Sequence, residues 1–278
     1  MPTITADLVD EHSYPLSDLT GPVGRSLVDR ARRQLRDTGA AELPGFIRAD
    51  RLEDLVADAR SLVPRAHHSQ GEGGAYLEPP EHGLPAAHPR RYRGRYSVGA
   101  VAYDVMPSPS LLRSLYEWDP LLALVAAILD RGPLHRYADP FGALNLAVMG
   151  EGDELQWHFD QTDFVVSLAV QSSDGGGEFE VAPRIRTAAD EHEDRVAAVL
   201  GGERSRVETL EMTPGTLVVF EGRHSLHRVS PVTGGTPRLV GLLAYDTEPG
   251  RVGSELLHSV RYGRTRPFDE PPVTWPAS

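Results

Sequence analysis

The chain has 278 residues, a formal net charge of −12 and no cysteine, and all 28 of its basic residues are arginines. These counts exclude disulfides, thiolate metal sites, cysteine nucleophiles, lysine Schiff bases and the Walker-type lysine, and the acidic balance disfavours nucleic acid as a partner. Hydrophobic (40%) and charged (24%) fractions are ordinary, and neither a bilayer-spanning apolar run nor a signal-peptide pattern is present, which predicts a globular cytoplasmic protein that binds no membrane.

Helices dominate the first part of the chain, where apolar residues recur three and four positions apart on one face. A helical hairpin is predicted between residues 108 and 130, with Ser110 capping the first helix and Asp119 capping the second ahead of Pro120. The elements predicted before this hairpin are an arm or short strand over residues 1–20, a helix over 23–38, a short strand with a Pro-Gly turn over 41–47, and a helix over 50–63.

Residues 64–95 are rich in glycine and proline, which predicts a long loop. The spacing of its four histidines matches no established ligand pattern, and a mobile loop fixes no coordination geometry, so a metal site is disfavoured here. The basic cluster over residues 90–96 has two equal alternatives, a solvated face or an anion clamp for a substrate carboxylate. The four histidines are His67, His68, His82 and His88.

After Pro140 the pattern changes to short strands separated by glycine-rich turns, which predicts a sandwich or a barrel. An acidic helix over residues 187–200, with Thr187 as its N-cap, interrupts these strands. The tail beyond Gly250 is Pro-rich and is expected to be irregular, with Tyr262 and Trp275 as anchors. Strands are predicted over residues 143–148, 164–171, 178–181, 207–212, 216–220 and 238–245.

No internal repeat and no linker divides the chain, so a single domain over residues 1–278 is expected. Helices first and strands later predict a mainly β fold with flanking helices, in which an N-terminal helical layer supports a β-sandwich. The expected parts are helical support with a lid loop over residues 1–135, a β core over 140–250 with a helical insert over 187–201, and a C-terminal tail over 251–278.

His158 and Asp160 lie two positions apart and therefore share one face if the chain is extended there. With the distant His227 they form the ligand set of two imidazoles and one carboxylate that non-haem Fe(II) oxygenases use as a facial triad. Residues three apart on a strand face opposite sides, so only one of His224 and His227 is expected to point inward. The catalytic and metal-binding residues predicted from this pattern are His158, Asp160 and His227.

Arg238 lies eleven residues beyond His227, on the following predicted strand. An arginine beside such a metal is suited to pair with the distal carboxylate of 2-oxoglutarate while the 2-oxo acid end chelates iron. Asn145, polar within an apolar strand, is expected to point either at the co-substrate or substrate or at a neighbouring backbone group. Trp157 and Phe159 are expected to flank the metal with apolar bulk.

The motifs that carry a resemblance lie over residues 113–116, 157–160, 164–168, 176–180, 183–186, 214–217 and 224–229. They resemble those of the Fe(II)/2-oxoglutarate-dependent oxygenases, and more narrowly a bacterial subgroup acting on free amino acids that includes hydroxylases and radical halogenases of lysine. The resemblance covers roughly residues 90–265. It implies a double-stranded β-helix (jelly roll, cupin-like) over residues 140–250. It also implies Fe(II), 2-oxoglutarate and O₂ as cofactors, with release of succinate and CO₂.

By this resemblance, residue 160 separates two chemistries. The halogenases have glycine at that position, which leaves a coordination site for chloride, whereas Asp160 fills it here. The expected reaction is hydroxylation of an unactivated C–H bond in a free amino acid or derivative, or a related oxidation such as desaturation or ring closure. Gln161 stands where the lysine halogenases carry a carboxylate for the substrate amine, which argues against lysine.

The expected substrate-binding residues are Gln161, Arg95 as partner of a substrate carboxylate, and Tyr262 as a pocket wall, with ordinary structural roles as the alternative for the last two. The expected partner is a small molecule, and the chain is expected to act as a monomer or a homodimer. Two other functions stay open: a zinc or manganese hydrolase with the same ligands, and a non-catalytic cupin-like binding protein.

Overall fold

The computed structural model describes residues 7–79, 81 and 83–268, so His82 and Trp275 lie outside the described residues. No helix within these ranges combines the length and apolar character needed to cross a membrane. The helices are α1 (Pro22–Thr38), α2 (Leu52–Leu62), α3 (Leu111–Glu117), α4 (Asp119–Leu129), α5 (Glu193–Leu200) and α6 (Glu255–Tyr262). The strands are β1 (Ala40–Leu43), β2 (His67–Gly73), β3 (Gly94–Val101), β4 (His135–Arg136), β5 (Leu144–Met149), β6 (Glu154–His158), β7 (Val165–Gln171), β8 (Gly175–Gly176), β9 (Phe179–Ala182), β10 (Glu208–Leu210), β11 (Leu217–Phe220), β12 (Leu226–Val229), β13 (Val232–Thr233), β14 (Arg238–Leu243) and β15 (Tyr245–Asp246).

One antiparallel sheet forms the body of the fold, with strand order β1-β11-β7-β14-β5-β3-β6-β12-β9-β10 and with β2 paired to β3. Strand β3 joins two halves of this sheet, because its C-terminal end pairs with β5 and its N-terminal part pairs with β6. The larger half contains β1, β11, β7, β14 and β5, and the smaller half contains β6, β12, β9 and β10. A cavity lies between the two halves, lined by residues of both.

The alternation of side chains along each strand assigns the two faces of the larger half. On β7, Val166 and Leu168 are buried towards the helices, whereas Ser167 lines the cavity. On β14, Leu239 packs into the same outer core, whereas Arg238 lines the cavity. The apolar neighbours of a polar residue therefore fix the direction in which that polar residue points.

Helices α1 to α4 cover the outer face of the larger half and share one apolar core with it. Leu27 and Leu35 contribute from α1, which ends at Gly39 as predicted, with a positive φ of 78° at that glycine. Ser110 caps α3 by accepting a hydrogen bond from the Arg113 N–H, also as predicted. The predicted mainly β fold with a supporting helical layer is confirmed.

The prediction of a continuous loop over residues 64–95 is wrong, because this region contains β2 and the start of β3. Strand β2 pairs with β3 from His67 to Gly73. Its side chains are exposed or half-buried at an edge of the sheet, so it carries no apolar alternation that would reveal a strand. With β1, β2 and β3 in the main sheet, the β structure begins well before residue 140.

Two helix starts differ from the sequence-based prediction. Helix α5 begins at Glu193, because the Thr187 hydroxyl accepts hydrogen bonds from the N–H groups of Ala189 and Asp190 in a separate turn. The N-cap of α4 is Trp118, and Asp119 is the first helical residue. In both regions the helix itself was predicted and its first residue was not.

The segment after Gly250 was expected to be irregular, but it forms α6. Ser254 caps this helix by accepting a hydrogen bond from the Leu257 N–H. Only His258 and Tyr262, four residues apart, are buried, while Leu256 and Val260 are exposed. Because the apolar residues face solvent, no amphipathic pattern revealed the helix.

Asp139 anchors α6 to the sheet. Its carboxylate accepts hydrogen bonds from the N–H groups of Phe141 (2.8 Å) and Gly253 (2.8 Å) and from the His258 ring (2.9 Å). Burial acts to raise the pKa of Asp139, but the hydrogen bond from His258 and those from the backbone outweigh it and hold the pKa below its usual value.

Replacing Asp139 with asparagine is expected to lower the free energy of unfolding by about 3 kcal/mol, because one partner of a buried pair loses its charge. The folded-state pKa is depressed, so this carboxylate stabilises the fold above an unfolded-state pKa of about 3.9, and the stabilisation is lost as pH falls through the folded-state pKa. Urea denaturation at neutral and acidic pH measures both effects. Asp37→Asn, exposed on α1, is the matched control, and equal losses in the two variants would contradict the role of Asp139.

Candidate metal centre

The two histidines of the predicted triad face each other across a strand pair. Strands β6 and β12 are antiparallel, and their register places His227 opposite His158. The Nδ1 atom of His158 lies 2.8 Å from the Gln156 carbonyl oxygen, and that of His227 lies 2.9 Å from the Ser225 carbonyl oxygen. Since a carbonyl only accepts, each Nδ1 carries the proton and each Nε2 keeps a free lone pair for a metal.

Asp160 adds a carboxylate to these two imidazoles. Its Oδ1 lies 3.9 Å from His158 Nε2 and its Oδ2 lies 3.5 Å from His227 Nε2. The three ligand atoms lie within 4.8 Å of one another, and no other cluster of His, Asp and Glu within the described residues meets this criterion. Ligands about 2.1 Å from a metal ion lie roughly 3 Å apart at right angles, so a small contraction places all three on one ion.

A glycine on the loop between β11 and β12 makes room for the metal-facing carboxylate. The Asp160 N–H donates to the Gly222 carbonyl at 3.1 Å. A Cβ atom at position 222 would lie 1.7 Å from Asp160 Oδ2. Any larger residue here would displace the carboxylate, so Gly222 is part of the site. It was not among the residues predicted from the sequence.

The protonation state of His158 suits a metal ligand. Burial, together with the neighbouring His227, lowers the pKa of His158 to about 4, against an opposing effect of Asp160. The positive charge of Arg261, on α6, lowers it further. The imidazole is therefore neutral near neutral pH.

Aromatic rings wall the site, but they are not the predicted ones. Phe179 and Phe220 lie with ring centroids 5.4 and 4.9 Å from that of His227. Trp157 and Phe159 instead pack into a separate apolar cluster. The expectation that they flank the metal is wrong, because residues on either side of His158 in an extended chain point away from its face.

Arg238 projects from β14 into the same cavity and is buried. Among the described residues its one polar contact is the Met149 sulfur at 4.0 Å, and no carboxylate pairs with it. Burial lowers the pKa of Arg238 to about 10, still well above neutral pH. Gly177, at a φ of 71°, leaves room for its stem, since a Cβ there would lie 3.0 Å from Arg238 Cδ. A buried, charged and unpaired guanidinium is costly for the fold and is suited to receive an external anion.

The rest of the cavity lining is almost entirely apolar. Its charged residues among those described are Asp160, Arg238 and Arg261, and Ser167 provides its one hydroxyl. The donor set, the unpaired arginine and the apolar walls together fit a divalent metal with a bound dicarboxylate. The apolar lining residues are Val98, Ala147, Met149, Leu155, Val165, Phe179, Met212, Val218, Phe220, Val229, Val240 and Leu242.

Asn145 and Tyr262 contact each other and line a pocket that adjoins the metal cavity. The Asn145 side chain donates to the Phe141 carbonyl at 2.9 Å and accepts from the Tyr262 hydroxyl at 2.7 Å. Of the alternatives for Asn145, the structure shows the bond to a neighbouring backbone group, and it places the amide outside the lining of the metal cavity.

The structure does not bring Arg95 and Gln161 to the cavity lining. Arg95 is exposed and donates to the Gly152 carbonyl at 2.9 Å and to the Glu154 carboxylate at 3.1 Å. Val98 lines the cavity from the same strand, and a residue three positions away faces the opposite side. The expectation that Arg95 holds a substrate carboxylate is corrected on this ground. Gln161 is exposed in the turn after Asp160.

Two of the histidines in residues 64–95, His68 and His88, each lie beside a carboxylate away from the triad. His68 lies 2.9 Å from the Asp153 carboxylate, and His88 lies 3.0 Å from the Glu193 carboxylate. These pairs hold the edge strand and α5 in place.

The fold, as predicted, is the double-stranded β-helix of the Fe(II)/2-oxoglutarate oxygenases. Comparisons of the whole fold with solved structures show this. SnoN, described as the non-heme alpha ketoglutarate dependent epimerase from nogalamycin biosynthesis, is 16% identical with a TM-score of 0.59 over 91% of this chain and 97% of its own. AviO1 from Streptomyces viridochromogenes Tue57 is 22% identical with a TM-score of 0.53 over 81% and 97%. HygX from Streptomyces hygroscopicus, solved with nickel, 2-oxoglutarate and hygromycin B bound, is 14% identical with a TM-score of 0.51 over 80% and 88%.

The family follows from the sequence. Residues 23–258 match the family described as Halogenase D (HalD), so the chain belongs to that family. No curated protein sequence matches the chain. The clustered side chains of this family member are two imidazoles and one carboxylate.

Proposed function

We propose that the chain is an Fe(II)- and 2-oxoglutarate-dependent dioxygenase that hydroxylates an unactivated C–H bond of a small substrate, a free amino acid or derivative, with release of succinate and CO₂. The observation that carries the proposal is the convergence of His158, Asp160 and His227 beside the unpaired guanidinium of Arg238. Two imidazoles and one carboxylate are the ligand set of non-haem Fe(II) oxygenases.

Four polar residues of the cavity have defined roles in this proposal. Bound Fe(II), with 2-oxoglutarate and O₂, would supply the oxidising power that breaks the C–H bond. His158, Asp160 and His227 would hold the metal through the two imidazole Nε2 atoms and the carboxylate. Arg238 pairs with the distal carboxylate of the co-substrate, and its planar fork suits a bidentate contact.

The apolar walls exclude water from the reacting carbon. Phe179 and Phe220 pack against the His227 ring, and Val98 and Leu155 face the same cavity from β3 and β6. A dry cavity strengthens each charge interaction within it and suppresses side reactions.

Halogenation is the second candidate, favoured by the description of the family as Halogenase D. The lysine halogenases that the chain resembles have glycine at the position of Asp160, which leaves a coordination site for chloride. Asp160 lies within 4 Å of both imidazole Nε2 atoms and is positioned to take that place. Oxygenation is therefore the better-supported outcome, with desaturation or ring closure as related oxidations at the same site.

A zinc or manganese hydrolase is less well supported. Hydrolysis needs a general base beside the metal-bound water. Among the described lining residues Asp160 is the one carboxylate, and the proposal already uses it as a metal ligand. A hydrolase would also leave the buried, unpaired Arg238 without a task.

The test is a mass-spectrometric screen of the twenty free amino acids and close relatives, run under air with Fe(II), 2-oxoglutarate and chloride. We expect one class of compound to gain one oxygen atom together with an equal amount of succinate, or to lose two hydrogens in the related oxidations. A product that gains chlorine would overturn the role given to Asp160. Absence of 2-oxoglutarate turnover with every compound would contradict the proposed function.

A further inference from the structure

Arg261 is the second arginine of the metal cavity. It lies on α6, which packs against β2 and β3, and it lines both the metal cavity and the adjoining pocket that contains Asn145 and Tyr262. The two pockets also share Val165 and Leu242. Arg261 therefore lies where the metal cavity meets the adjoining pocket.

The position of Arg261 is fixed by its neighbours on the helix. His258 is held by the Asp139 carboxylate at 2.9 Å, and the Tyr262 hydroxyl donates to Asn145 Oδ1 at 2.7 Å. His258 lies three residues before Arg261 and therefore on the same helix face, and Tyr262, the next residue, shares the Asn145 Oδ1 acceptor with Arg261. Its own Nε donates to Asn145 Oδ1 at 3.2 Å, which orients the guanidinium. A group held in this way is prepared for a ligand before the ligand arrives.

The charge of Arg261 is not compensated within the described part of the chain. Its polar partners there are the Asn145 amide and the Tyr262 hydroxyl, both neutral, and no carboxylate of the described residues forms an ion pair with it. Arg264, two residues after the end of α6, is paired in contrast, because it bonds to both oxygens of Asp104. An arginine without a carboxylate at the edge of an apolar cavity is suited to bind a carboxylate from outside.

The charges of the complete site leave one positive charge for the substrate to match. With the proposed divalent metal and the 2-oxoglutarate dianion bound, Asp160 and Arg238 bring the centre to electrical neutrality. The charge of Arg261 remains. The described lining offers no free carboxylate for a cationic amine, since the proposed function uses Asp160 as a metal ligand, and apart from the two histidines, the two arginines and Ser167 its other residues are apolar. A substrate that complements this cavity carries a carboxylate at the Arg261 end and an apolar or neutral chain towards the metal.

We infer that Arg261 is a specificity-determining residue that binds the carboxylate of the primary substrate and so sets which carbon of an otherwise apolar acid lies beside the metal. This inference rests on the proposed function, because it takes Arg238 as the partner of 2-oxoglutarate. It selects acids with apolar chains over substrates with cationic side chains.

The test compares carboxylic acids with their primary amides, which have nearly the same shape and lack the negative charge of the carboxylate. The panel contains the twenty free L-amino acids and the straight-chain acids from acetate to hexanoate. Binding is measured by calorimetry and saturation-transfer NMR on the protein loaded with Fe(II) and 2-oxoglutarate without oxygen. The variants are Arg261→Met, which removes the charge, Arg261→Lys, which keeps it, and Arg266→Met, an exposed arginine of the same segment, as the matched control.

We expect the unmodified protein and Arg266→Met to bind at least one acid roughly 10- to 100-fold more tightly than its amide. This ratio corresponds to the free energy that a charge-assisted hydrogen bond contributes to binding. Arg261→Met is expected to lose this preference and Arg261→Lys to keep part of it, while both retain the affinity for 2-oxoglutarate. When Arg261→Met is assayed with the preferred acid under air, it is expected to form more succinate than oxidised acid.

The inference is overturned if no acid is preferred over its amide, or if the preference survives in Arg261→Met. It is also overturned if Arg261→Met weakens 2-oxoglutarate binding as strongly as loss of Arg238 does, because Arg261 would then belong to the co-substrate site. Failure of the proposed function gives a different result, in which the unmodified protein does not bind 2-oxoglutarate in a metal-dependent manner.

Discussion

Replacing His227 with alanine is expected to abolish stoichiometric Fe(II) binding and, with it, the conversion of 2-oxoglutarate. The residue is buried, its Nδ1 is held by the Ser225 carbonyl, and its Nε2 lies 3.5 Å from the Asp160 carboxylate. Loss of an outer-sphere partner alone typically costs about 10- to 100-fold in metal affinity, so the loss of a direct ligand is expected to exceed that range. Anaerobic equilibrium dialysis with Fe(II) measures the effect.

His224 provides the matched control for this substitution. It lies three residues away, in the turn before β12, and does not line the cavity. His224→Ala is expected to bind one Fe(II) per chain like the unmodified protein, and His227→Gln, which keeps the bulk of the side chain, is expected to fold normally and bind no metal. Equal Fe(II) binding by His227→Ala and His224→Ala would remove His227 from the metal centre.

Replacing Arg238 with methionine is expected to weaken 2-oxoglutarate binding and to stabilise the protein that lacks 2-oxoglutarate. Removing one partner of a buried charge pair costs about 2–5 kcal/mol, which corresponds to a loss of affinity of roughly 30- to several-thousand-fold. The unpaired guanidinium also opposes folding, so a methionine of similar volume is expected to raise the free energy of unfolding by about 1–4 kcal/mol. Calorimetric titration of 2-oxoglutarate and urea denaturation measure the two effects separately.

The opposite signs of the two effects separate a binding role from a structural one. An arginine that only supports the fold would lose stability when replaced, and its loss would not act selectively on 2-oxoglutarate. Arg195→Met, exposed on α5, is expected to change neither quantity. A destabilised Arg238→Met variant with unaltered affinity for 2-oxoglutarate would contradict the assignment of Arg238 to the co-substrate.

The sequence predicted one shared face for His158 and Asp160 because their relative geometry depends on a local rule. His158 and Asp160 are two residues apart, and an extended chain turns such a pair to one side. Arg238 lies on a strand whose adjacent residue Leu239 is buried towards the helices, so its own direction follows from the alternation. The same rule, applied to Trp157 and Phe159, would have placed both on the opposite face.

The partners that approach from distant parts of the chain were not predictable in this way. Phe179 and Phe220 reach His227 from β9 and β11, and their contact depends on how the two halves of the sheet fold over each other. Gly222 matters only because Asp160 passes close to it. No short-range pattern in the sequence predicts the contacts of these phenylalanines with His227 or of Gly222 with Asp160.

Helix α6 and its Arg261 were missed for a different reason. The buried positions of this helix are occupied by His258 and Tyr262, and its leucines are exposed, so an apolar periodicity is absent. The one signal in the sequence was Ser254 followed by a short run without glycine or proline. Arg95 was selected from the basic cluster instead, although its partner in the fold is Glu154.

The chain belongs to the Halogenase D family, whereas the oxygenase reaction proposed above rests on Asp160. The carboxylate sits opposite Gly222, where a Cβ atom would collide with it, and faces both imidazoles. A glycine at position 160 would leave that space for a halide. The proposed ligand set of two histidines and Asp160 therefore needs no chloride.

The central claim, a three-ligand Fe(II) centre that uses 2-oxoglutarate, is tested most directly by following the conversion of 2-oxoglutarate to succinate under air, with the panel of amino acids present. Succinate is predicted to form with Fe(II), to be absent with Zn(II) or without oxygen, and to be lost in His227→Ala but not in His224→Ala. No succinate with any compound, or equal succinate from His227→Ala, would contradict it.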